Sequence, residues 1–398
     1  MIPSIRKAFN ENFTKEKYQA FLTELQGFHP NAIEFRVAET AVFVPKNFTR
    51  KILDACESIV DVITDDRFTA LTKNAIPANL QVPGENKHSH FIAFDFGICI
   101  NNDGELEPQL IEMQGFPTLF AYEILADNIF RRHFDVPSNF STYLGRFDRD
   151  SYINELKKII LGTQRAENVI LLEILPHEQK TRIDFYCTED YTGVKPVCLT
   201  ELIKEGRNLY YINQGKKTQV KRIYNRIIFD DLFQQSEEIQ EKGKLLFEDL
   251  DVEWVPHPAW FYRISKYTLP LIRHPYVPAT FFLNDIKQLP PDLENYVLKP
   301  LFSFAGQGVV IDVTKDDIAT VKDPHNWILQ RKVKYADVIQ TPDDPAKCEI
   351  RIFYFWSEEA DRPEPVNNLA RLSKGKMIGV RYNKDKEWVG GSHCYFEK

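Results

Sequence analysis

The segment 296–313 holds the pattern that points most directly to chemistry, a lysine followed by a loop of small residues. Lys299 ends an apolar, strand-like run. The loop after it has small or amide side chains at four candidate positions: Ser303, Gly306, Gln307 and Gly308. Small residues let backbone N–H groups approach phosphate oxygens closely, and a neighbouring lysine adds positive charge. The pattern predicts two strands joined by a phosphate-binding loop, and an ordinary β-hairpin with an exposed lysine fits it equally well.

A second pattern consists of two carboxylates on a predicted hairpin. Apolar runs surround Asp95 and Glu112, and the turn at 102–104 lies between them. Gln114 follows Glu112 by two residues, so the two share one face of their strand. Two carboxylates and an amide oxygen suit Mg²⁺, which prefers hard oxygen ligands. A solvated edge hairpin is the alternative, but a lone charge in the apolar run at Asp95 would be expensive to bury.

Cationic side chains in the second half of the chain form a third group. Arg351 and Arg371 occur in strand-like contexts, where inward-facing guanidinium groups can hold a phosphoryl group or a carboxylate. An ion pair with Glu349 or another acid explains these arginines equally well. Lys266 is a further candidate for contacting a nucleotide, although an exposed helical lysine is the ordinary case.

The elements that must position these residues change in character along the chain. Residues 1–85 predict a helical N-terminal segment, because apolar residues recur there at helical spacing. Residues 86–165 contain the carboxylate hairpin. Strand-like and helical runs alternate over 166–250, which predicts a small α/β unit. Residues 251–398 supply the lysine strand, the small-residue loop and the arginine strands.

Composition limits the class of protein. The 398 residues are 43% hydrophobic and 27% charged, which excludes disorder, collagen-like repeats and a coiled coil as the main architecture. A net charge of −7 gives no field for a polyanion, so no nucleic-acid partner is expected. Scattered cysteines without a CxxC pair indicate buried, idle thiols. Without a signal-peptide core or a long apolar run, we expect a cytoplasmic protein with no membrane partner.

These segments together resemble the ATP-grasp enzymes. The run YVLKPLFSFAGQGV is similar to that family's lysine strand and glycine-rich phosphate loop, and WILQRKV to the segment beside the adenine. The later runs are similar to strands of the glutathione synthetase group: EIRIF, LAR, and RYN with VGG. The resemblance implies an α/β (α+β) fold in which 251–398 form the nucleotide-binding subdomains and 166–250 a small pre-ATP-grasp domain.

The order of these segments is rearranged. In the glutathione synthetase group the magnesium-binding strands come last, whereas the run that resembles them here, FDFGI to LIEMQGFPTL, comes early. The chain is therefore similar to circularly permuted ATP-grasp proteins such as glutathionylspermidine synthetase, with 86–165 as the permuted part. The resemblance covers roughly residues 90–120 and 220–392, and 1–85 resembles no substrate domain.

The resemblance implies a role for each candidate. Mg²⁺ would be held by Asp95, Glu112 and Gln114. ATP phosphates would contact Lys266, Lys299 and the loop residues Ser303, Gly306, Gln307 and Gly308, and the base would lie near Gln330 and Lys332. Transfer chemistry would depend on Arg351, Arg371 and Asn383. The family usually has asparagine where this chain has Gln114, so the longer side chain would shift the metal or need a bridging water.

The resemblance also implies a reaction. ATP would phosphorylate a small-molecule or peptide carboxylate, and an amine or a thiol would then displace phosphate. Arg226 is a weaker candidate for gripping the acid, with a structural ion pair as the alternative. Two other functions stay open: a phosphotransferase on the same fold, and a non-catalytic nucleotide-binding protein, which the presence of Gln114 favours. The sequence leaves the acid, the nucleophile and the oligomeric state open.

Overall fold

The structure is a computed structural model that describes residues 2–302, 308–375, 378 and 383–398. Its strands, in chain order, are β1 (Val42–Val44), β2 (Phe91–Ile100), β3 (Leu106–Gln114), β4 (Phe140–Ser141), β5 (Val169–Glu173), β6 (Lys195–Cys198), β7 (Ile203–Glu205), β8 (Asn208–Asn213), β9 (Lys216–Val220), β10 (Arg222–Asn225), β11 (Glu253–Val255), β12 (Thr280–Phe282), β13 (Tyr296–Pro300), β14 (Val310–Ile311), β15 (Trp327–Arg331), β16 (Lys347–Phe355), β17 (Glu364–Ser373), β18 (Gly390–Ser392) and β19 (Cys394–Glu397).

The α-helices lie between these strands or precede the first of them. They are α1 (Pro3–Asn12), α2 (Lys15–Phe28), α3 (Lys46–Ile63), α4 (Phe68–Leu71), α5 (Tyr122–His133), α6 (Arg149–Leu161), α7 (Arg182–Thr192), α8 (Phe229–Leu232), α9 (Glu237–Gly243), α10 (Ala259–Arg263) and α11 (Lys315–Ala319). Lys266, for which an exposed position on a helix was the alternative, is buried and begins the short 3₁₀ helix Lys266–Leu271, which contains Pro270. Proline removes a backbone donor and disfavours a longer α-helix there.

An antiparallel five-stranded sheet positions the site, with strand order β18-β17-β16-β2-β3. β2 and β3 form the predicted hairpin, and Asp95 lies opposite Glu112 in its register. β16 pairs with the other edge of β2 and places Arg351 opposite Asp95. β17 then places Arg371 opposite Glu349. The hairpin prediction is confirmed, and charged residues far apart in the chain meet on one face of the sheet.

The two faces of this sheet differ because side chains alternate along each strand. One face is apolar and shares a buried core with α3: Phe94, Phe96, Ile98, Ile350, Ile352, Tyr354, Ala370 and Leu372. The amphipathic helix α3 contributes residues at helical spacing to that core: Phe48, Ile52, Ile59 and Ile63. A slip of one residue in β2 would turn charges into this core, so burial fixes the register.

The remaining sheets of the described residues complete a mixed α/β architecture. Strands β5, β6, β10 and β11 form a parallel sheet in the order β11-β10-β5-β6. An antiparallel sheet of order β12-β15-β13-β14 carries Lys299 on β13 and Gln330 on β15. Two three-stranded sheets have the orders β1-β19-β4 and β7-β8-β9. The early helices α1 to α3 agree with the helical expectation for that region, which also contains β1.

The segment just before β12 is hydrogen-bonded to the edge strand β3. The backbone N–H of Leu110 donates to the carbonyl of Tyr276 at 2.8 Å. The side-chain amide of Gln109 donates to the carbonyl of Pro275 at 3.2 Å. These bonds satisfy groups that an edge strand would otherwise leave open. They also bring the lysine strand β13 beside the carboxylate hairpin.

The structure bears on two expectations from the sequence, one about the cysteines and one about membrane-spanning helices. All six cysteines are buried and free, as the scattered spacing predicted. Among the described residues, no helix combines the length and apolar character needed to cross a bilayer.

One buried carboxyl group lies outside the charged face. Glu123, in the first turn of α5, is 1% exposed, and neither of its carboxylate oxygens has a hydrogen-bond partner among the described residues. Burial, followed by the charges of Asp184 and Asp127, raises the pKa of Glu123 well above its ordinary value. Glu123 therefore ionises at a lower pH in the unfolded chain than in the folded protein. Stability falls as the pH rises from the pKa of Glu123 in the unfolded chain toward its pKa in the folded protein.

Replacing Glu123 with glutamine should stabilise the protein at neutral pH, because it removes the ionisation that favours unfolding. We expect Glu123→Gln to raise the free energy of unfolding by about 1–3 kcal/mol at pH 7, with a smaller gain toward pH 4. Urea unfolding between pH 4 and pH 8 measures this. Glu16 is the matched control, since it is exposed in the first turn of α2 and its pKa is lowered by local hydrogen bonds. A gain in Glu16→Gln equal to that in Glu123→Gln would contradict the explanation.

Candidate functional site

The carboxylate hairpin contains a β-bulge beside the predicted metal ligands. Asp95 pairs with Glu112, but the next residue of β2, Phe96, pairs with Leu110. Ile111 is therefore an extra residue in β3, and a bulge of this kind leaves a backbone group outside the regular ladder. Bulges re-aim side chains and are common beside active sites. This bulge sets the direction of Glu112 and offers the carbonyl of Ile111 to a neighbouring donor.

Lys299 uses that carbonyl. Its Nζ donates to the oxygen of Ile111 at 3.2 Å and to Oε1 of Gln330 at 2.5 Å. Burial lowers the pKa of Lys299 to about 8; the carboxylate of Glu112 opposes this, and the charge of Lys266 adds to it. The lysine strand from late in the chain thus lies against the carboxylate hairpin from early in the chain.

Lys266 reaches the same region because the chain packs closely on Gly115, the residue after β3. The N–H of Gly115 donates to the carbonyl of Ile264 at 2.8 Å. A Cβ added at Gly115 would lie 2.7 Å from the carbonyl oxygen of Trp260, so only glycine allows this approach. Burial lowers the pKa of Lys266, and the charge of Glu112 partly opposes this.

Asp95 is the centre of the charged face. Arg351 donates through Nε to Oδ1 and through NH2 to Oδ2, both at 2.5 Å, which is the bidentate geometry of a strong ion pair. Arg371 donates through NH2 to Oδ2 at 2.8 Å. Burial alone would raise the pKa of Asp95, but the two guanidinium groups outweigh it and hold the pKa below its ordinary value. Both oxygens of this carboxylate are therefore engaged by protein donors.

A second buried carboxylate, Glu349, completes the network. It accepts a hydrogen bond from NH2 of Arg371, and Tyr335 donates its hydroxyl to Oε2 at 2.6 Å. Burial, despite the charge of Arg371, raises the pKa of Glu349. Sequence reasoning missed Tyr335, which lies between β15 and β16 outside any strand. The one available signal is Gly97 in the apolar run of β2, because glycine inside a strand often marks a close approach.

Glu112 and Gln114 differ from Asp95 in being open to ligands. The Glu112 side chain is 40% exposed, and its Oε1 lies 3.9 Å from NH2 of Arg351. Gln114 is half-buried, and its amide nitrogen donates to the carbonyl of Phe116 at 3.2 Å. Mg²⁺ in nucleotide sites takes one or two protein carboxylates and completes its shell with phosphates and water. Glu112 with Gln114 fits such an ion; Asp95 does not, since its oxygens are engaged by two arginines.

No group of three or more His, Cys, Asp or Glu side chains has the arrangement of a metal site within the described residues. A closed protein cage for a metal is therefore absent from that part of the chain. Glu112 and Gln114 instead resemble the protein ligands of an open metal site, in which the substrate and water supply most of the ligands to the ion.

The residues predicted near a base have different environments. Gln330 is 1% exposed, and its amide nitrogen has no acceptor among the described residues, while its oxygen accepts from Lys299. Lys332 forms an ion pair with Asp312 at 2.5 Å and donates to the carbonyl of Glu294. Gln330 is thus hydrogen-bonded directly to Lys299, whereas Lys332, just after β15, bonds to Asp312 and Glu294 in the neighbouring segments.

The predicted phosphate loop lies partly within the described residues. Gly308 lies beside Pro300, with a φ of 73°, and β13 pairs with β14 as predicted for two strands joined by this loop. Three of the four loop candidates lie outside the described residues: Ser303, Gly306 and Gln307.

Asn383 and Arg226 have clear structural partners. The amide oxygen of Asn383 accepts from the backbone N–H groups of Lys374 and Gly375, at 2.8 and 3.2 Å, and so supports the turn after β17. Arg226 forms a buried ion pair with Asp184 at 2.8 Å. The ion-pair alternative considered for Arg226 therefore holds, although its Nε has no partner among the described residues.

Of the comparisons with known proteins, the one with solved structures bears on the fold. No family model matches the chain, and no curated protein matches it. Among solved structures, a glutathione synthetase-like effector (GSS30) from Globodera pallida, in its apo form, is similar with a TM-score of 0.58 and 10% sequence identity. The match covers 100% of this chain and 99% of that chain. Such a likeness shows a glutathione synthetase-like fold and nothing finer.

The Asp95 network leads to a stability prediction. Asp95→Asn removes the buried charge that the guanidinium groups of Arg351 and Arg371 share, and we expect the free energy of unfolding to fall by about 3–5 kcal/mol. Chemical denaturation at pH 7 measures the loss. Asp103→Asn at the exposed hairpin tip is the control and should leave stability unchanged. Equal stability of the two variants would show that Asp95 does not hold the arginines.

Proposed function

We propose that the protein is an ATP-dependent carboxylate–amine ligase of the circularly permuted ATP-grasp type that uses Mg²⁺. The observation that carries this proposal is the bond from Lys299 to the bulge carbonyl beside Glu112. This bond places the lysine proposed to bind phosphate next to the carboxylate proposed to bind Mg²⁺, because Ile111 directly precedes Glu112. The glutathione synthetase-like fold supports the same class of activity.

The charges around Glu112 suit a triphosphate. Lys299 on β13 and Lys266 in the 3₁₀ helix both interact electrostatically with Glu112. NH2 of Arg351, in the same sheet as Glu112, lies 3.9 Å from its Oε1. Phosphoryl transfer is catalysed mainly by positioned cations that neutralise developing charge. With a pKa of about 8, Lys299 is mostly protonated at neutral pH, and a bound phosphate would raise that pKa further.

The remaining roles fall to Gln330, to the pair Glu112 and Gln114, and to the two arginines of the sheet. The amide nitrogen of buried Gln330, without an acceptor among the described residues, would donate to a ring nitrogen of the base. Glu112 and Gln114 would hold Mg²⁺, which neutralises and orients the phosphates. Arg351 would steady the transferring phosphoryl group, and Arg371 would neutralise charge on the acyl phosphate.

The reaction has two balanced steps. A carboxylate oxygen of the first substrate attacks the terminal phosphorus of ATP, and the bond from that phosphorus to the bridging oxygen breaks. The products are ADP, which is the leaving group, and an acyl phosphate. The nitrogen of an amine then attacks the acyl carbon, the bond to the phosphate oxygen breaks, and inorganic phosphate and a proton are released. A thiol in place of the amine would give a thioester by the same step.

A second candidate is a nucleotide-binding protein that catalyses no ligation. The observation that favours it is the engagement of Asp95 by two arginines, which leaves Glu112 as the one predicted metal carboxylate open to ligands among the described residues. Incubation with ATP, Mg²⁺ and pooled carboxylates and amines separates the candidates. Ligation gives ADP, phosphate and a condensed product. A phosphotransferase gives ADP and a stable phosphorylated product, and a pure binder gives thermal stabilisation by ATP without turnover.

Lys299→Ala should weaken ATP binding about 10- to 100-fold, because a charged hydrogen bond to phosphate is lost. Titration calorimetry with ATP and Mg²⁺ measures this. Wild-type affinity should also weaken above pH 8, as Lys299 loses its proton, and the variant should lose this pH dependence. The control is Lys287→Ala, which changes an exposed lysine between β12 and β13 and should bind ATP as the wild type does. Unchanged affinity in Lys299→Ala would remove the phosphate-binding role.

Glu112→Gln should abolish turnover while leaving nucleotide affinity within a few-fold, because the amide keeps the shape of the side chain but not the charge that holds Mg²⁺. ADP release measured against Mg²⁺ concentration tests this. Glu107→Gln, on the same strand, is the control. Full activity of Glu112→Gln at ordinary Mg²⁺ concentrations would exclude Glu112 as the metal ligand.

A further inference from the structure

Tyr335 lies where the segment after β15 returns to the central sheet. Its ring packs on Gly97 of β2 so closely that an added Cβ would lie 2.7 Å from Cε1. The next residue, Ala336, donates its backbone N–H to the carbonyl of Ile98 at 2.9 Å. The position of the ring is therefore fixed by the sheet backbone, and any side chain at Gly97 would displace it.

The hydroxyl of Tyr335 begins a continuous chain of polar contacts. It donates to Oε2 of Glu349, whose Oε1 accepts from NH2 of Arg371. The same NH2 donates to Asp95, which Arg351 holds from the other side. Buried polar networks of this kind fix orientation only while every member keeps its partner.

Arg371 depends on this chain more than Arg351 does. Arg351 grips Asp95 with two parallel bonds and lies 3.5 Å from the hydroxyl of Thr118. Arg371 places a single nitrogen, NH2, on Asp95 and Glu349, and its buried Nε has no partner among the described residues. Because only NH2 of Arg371 is held in these contacts, the guanidinium group can rotate about that nitrogen. The position of Glu349 therefore sets the plane of the guanidinium group.

We infer that Tyr335 is a positioning residue that sets the orientation of Arg371 through Glu349, and that phosphoryl transfer needs this orientation. The inference rests on the proposed function for its catalytic part only. Tyr335 follows the strand that carries Gln330, so it also links the nucleotide side of the site to the arginine face.

Tyr335→Phe tests the inference, because it keeps the ring on Gly97 and removes only the hydroxyl. We expect kcat to fall about tenfold while the KM for ATP changes less than twofold, since Arg371 would act in the transfer step rather than in binding. Tyr354→Phe is the matched control: its hydroxyl donates to Glu57 at 3.0 Å on the opposite face of the same sheet. The control should keep wild-type kinetics.

A double-mutant cycle identifies the route. If Tyr335 acts through Glu349, the variant carrying both Tyr335→Phe and Glu349→Gln should be no slower than Glu349→Gln alone. Additive losses in kcat would overturn the route through Glu349.

A spectroscopic readout keeps the inference independent of turnover. In ¹H–¹⁵N spectra of arginine side chains, the Nε–H signal of Arg371, identified by its loss in Arg371→Lys, should shift in Tyr335→Phe and stay in place in Tyr354→Phe. An unmoved signal in Tyr335→Phe would overturn the inference whatever the activity. If the wild type shows no turnover with ATP, Mg²⁺ and the substrate pools, the proposed function fails, and this signal alone decides whether Tyr335 positions Arg371.

Discussion

Burial of Asp95 between two guanidinium groups is the interaction on which the geometry of the site depends. A carboxylate that is 1% exposed is tolerated only when its charge is paired and both oxygens accept hydrogen bonds. Those bonds require β2, β16 and β17 in one register, which the apolar opposite face also enforces. The bulge at Ile111 then turns Glu112 toward the lysine strand without disturbing that register. The charged face and the core beneath it are therefore specified by the same strand pairing.

Local signals in the sequence were sufficient for the hairpin and for much of the secondary structure. Apolar runs on either side of a short turn predicted β2 and β3, and helical spacing predicted α2 and α3. The apolar run around Asp95 also showed that its charge needs partners. It could not show which partners, because Arg351 is 256 positions away in the chain. Mg²⁺ was the expected partner, and in the structure two arginines fill that place.

Features created by tertiary contact were beyond the reach of the sequence. The bulge at Ile111 depends on the neighbouring sheet, and Tyr335 lies in a segment without periodicity, so neither has a local signature. The ion-pair alternatives for Arg371 and Arg226 turned out to describe real pairs, with Glu349 and Asp184. Sequence patterns give residue types with the right chemistry, whereas the choice between a ligand contact and an internal pair is made by packing.

The place of β2 inside the sheet has a consequence for biosynthesis. Its neighbour β3 follows at once, but β16, which covers its other edge, leaves the ribosome only after some 250 more residues. At translation rates of about 5–20 residues per second, this edge of β2 stays unpaired for roughly 10–50 s. An open, apolar strand edge pairs readily with other extended peptides. Shielding of the nascent hairpin, by early helices or by a chaperone, is therefore a requirement for recovering this protein in quantity.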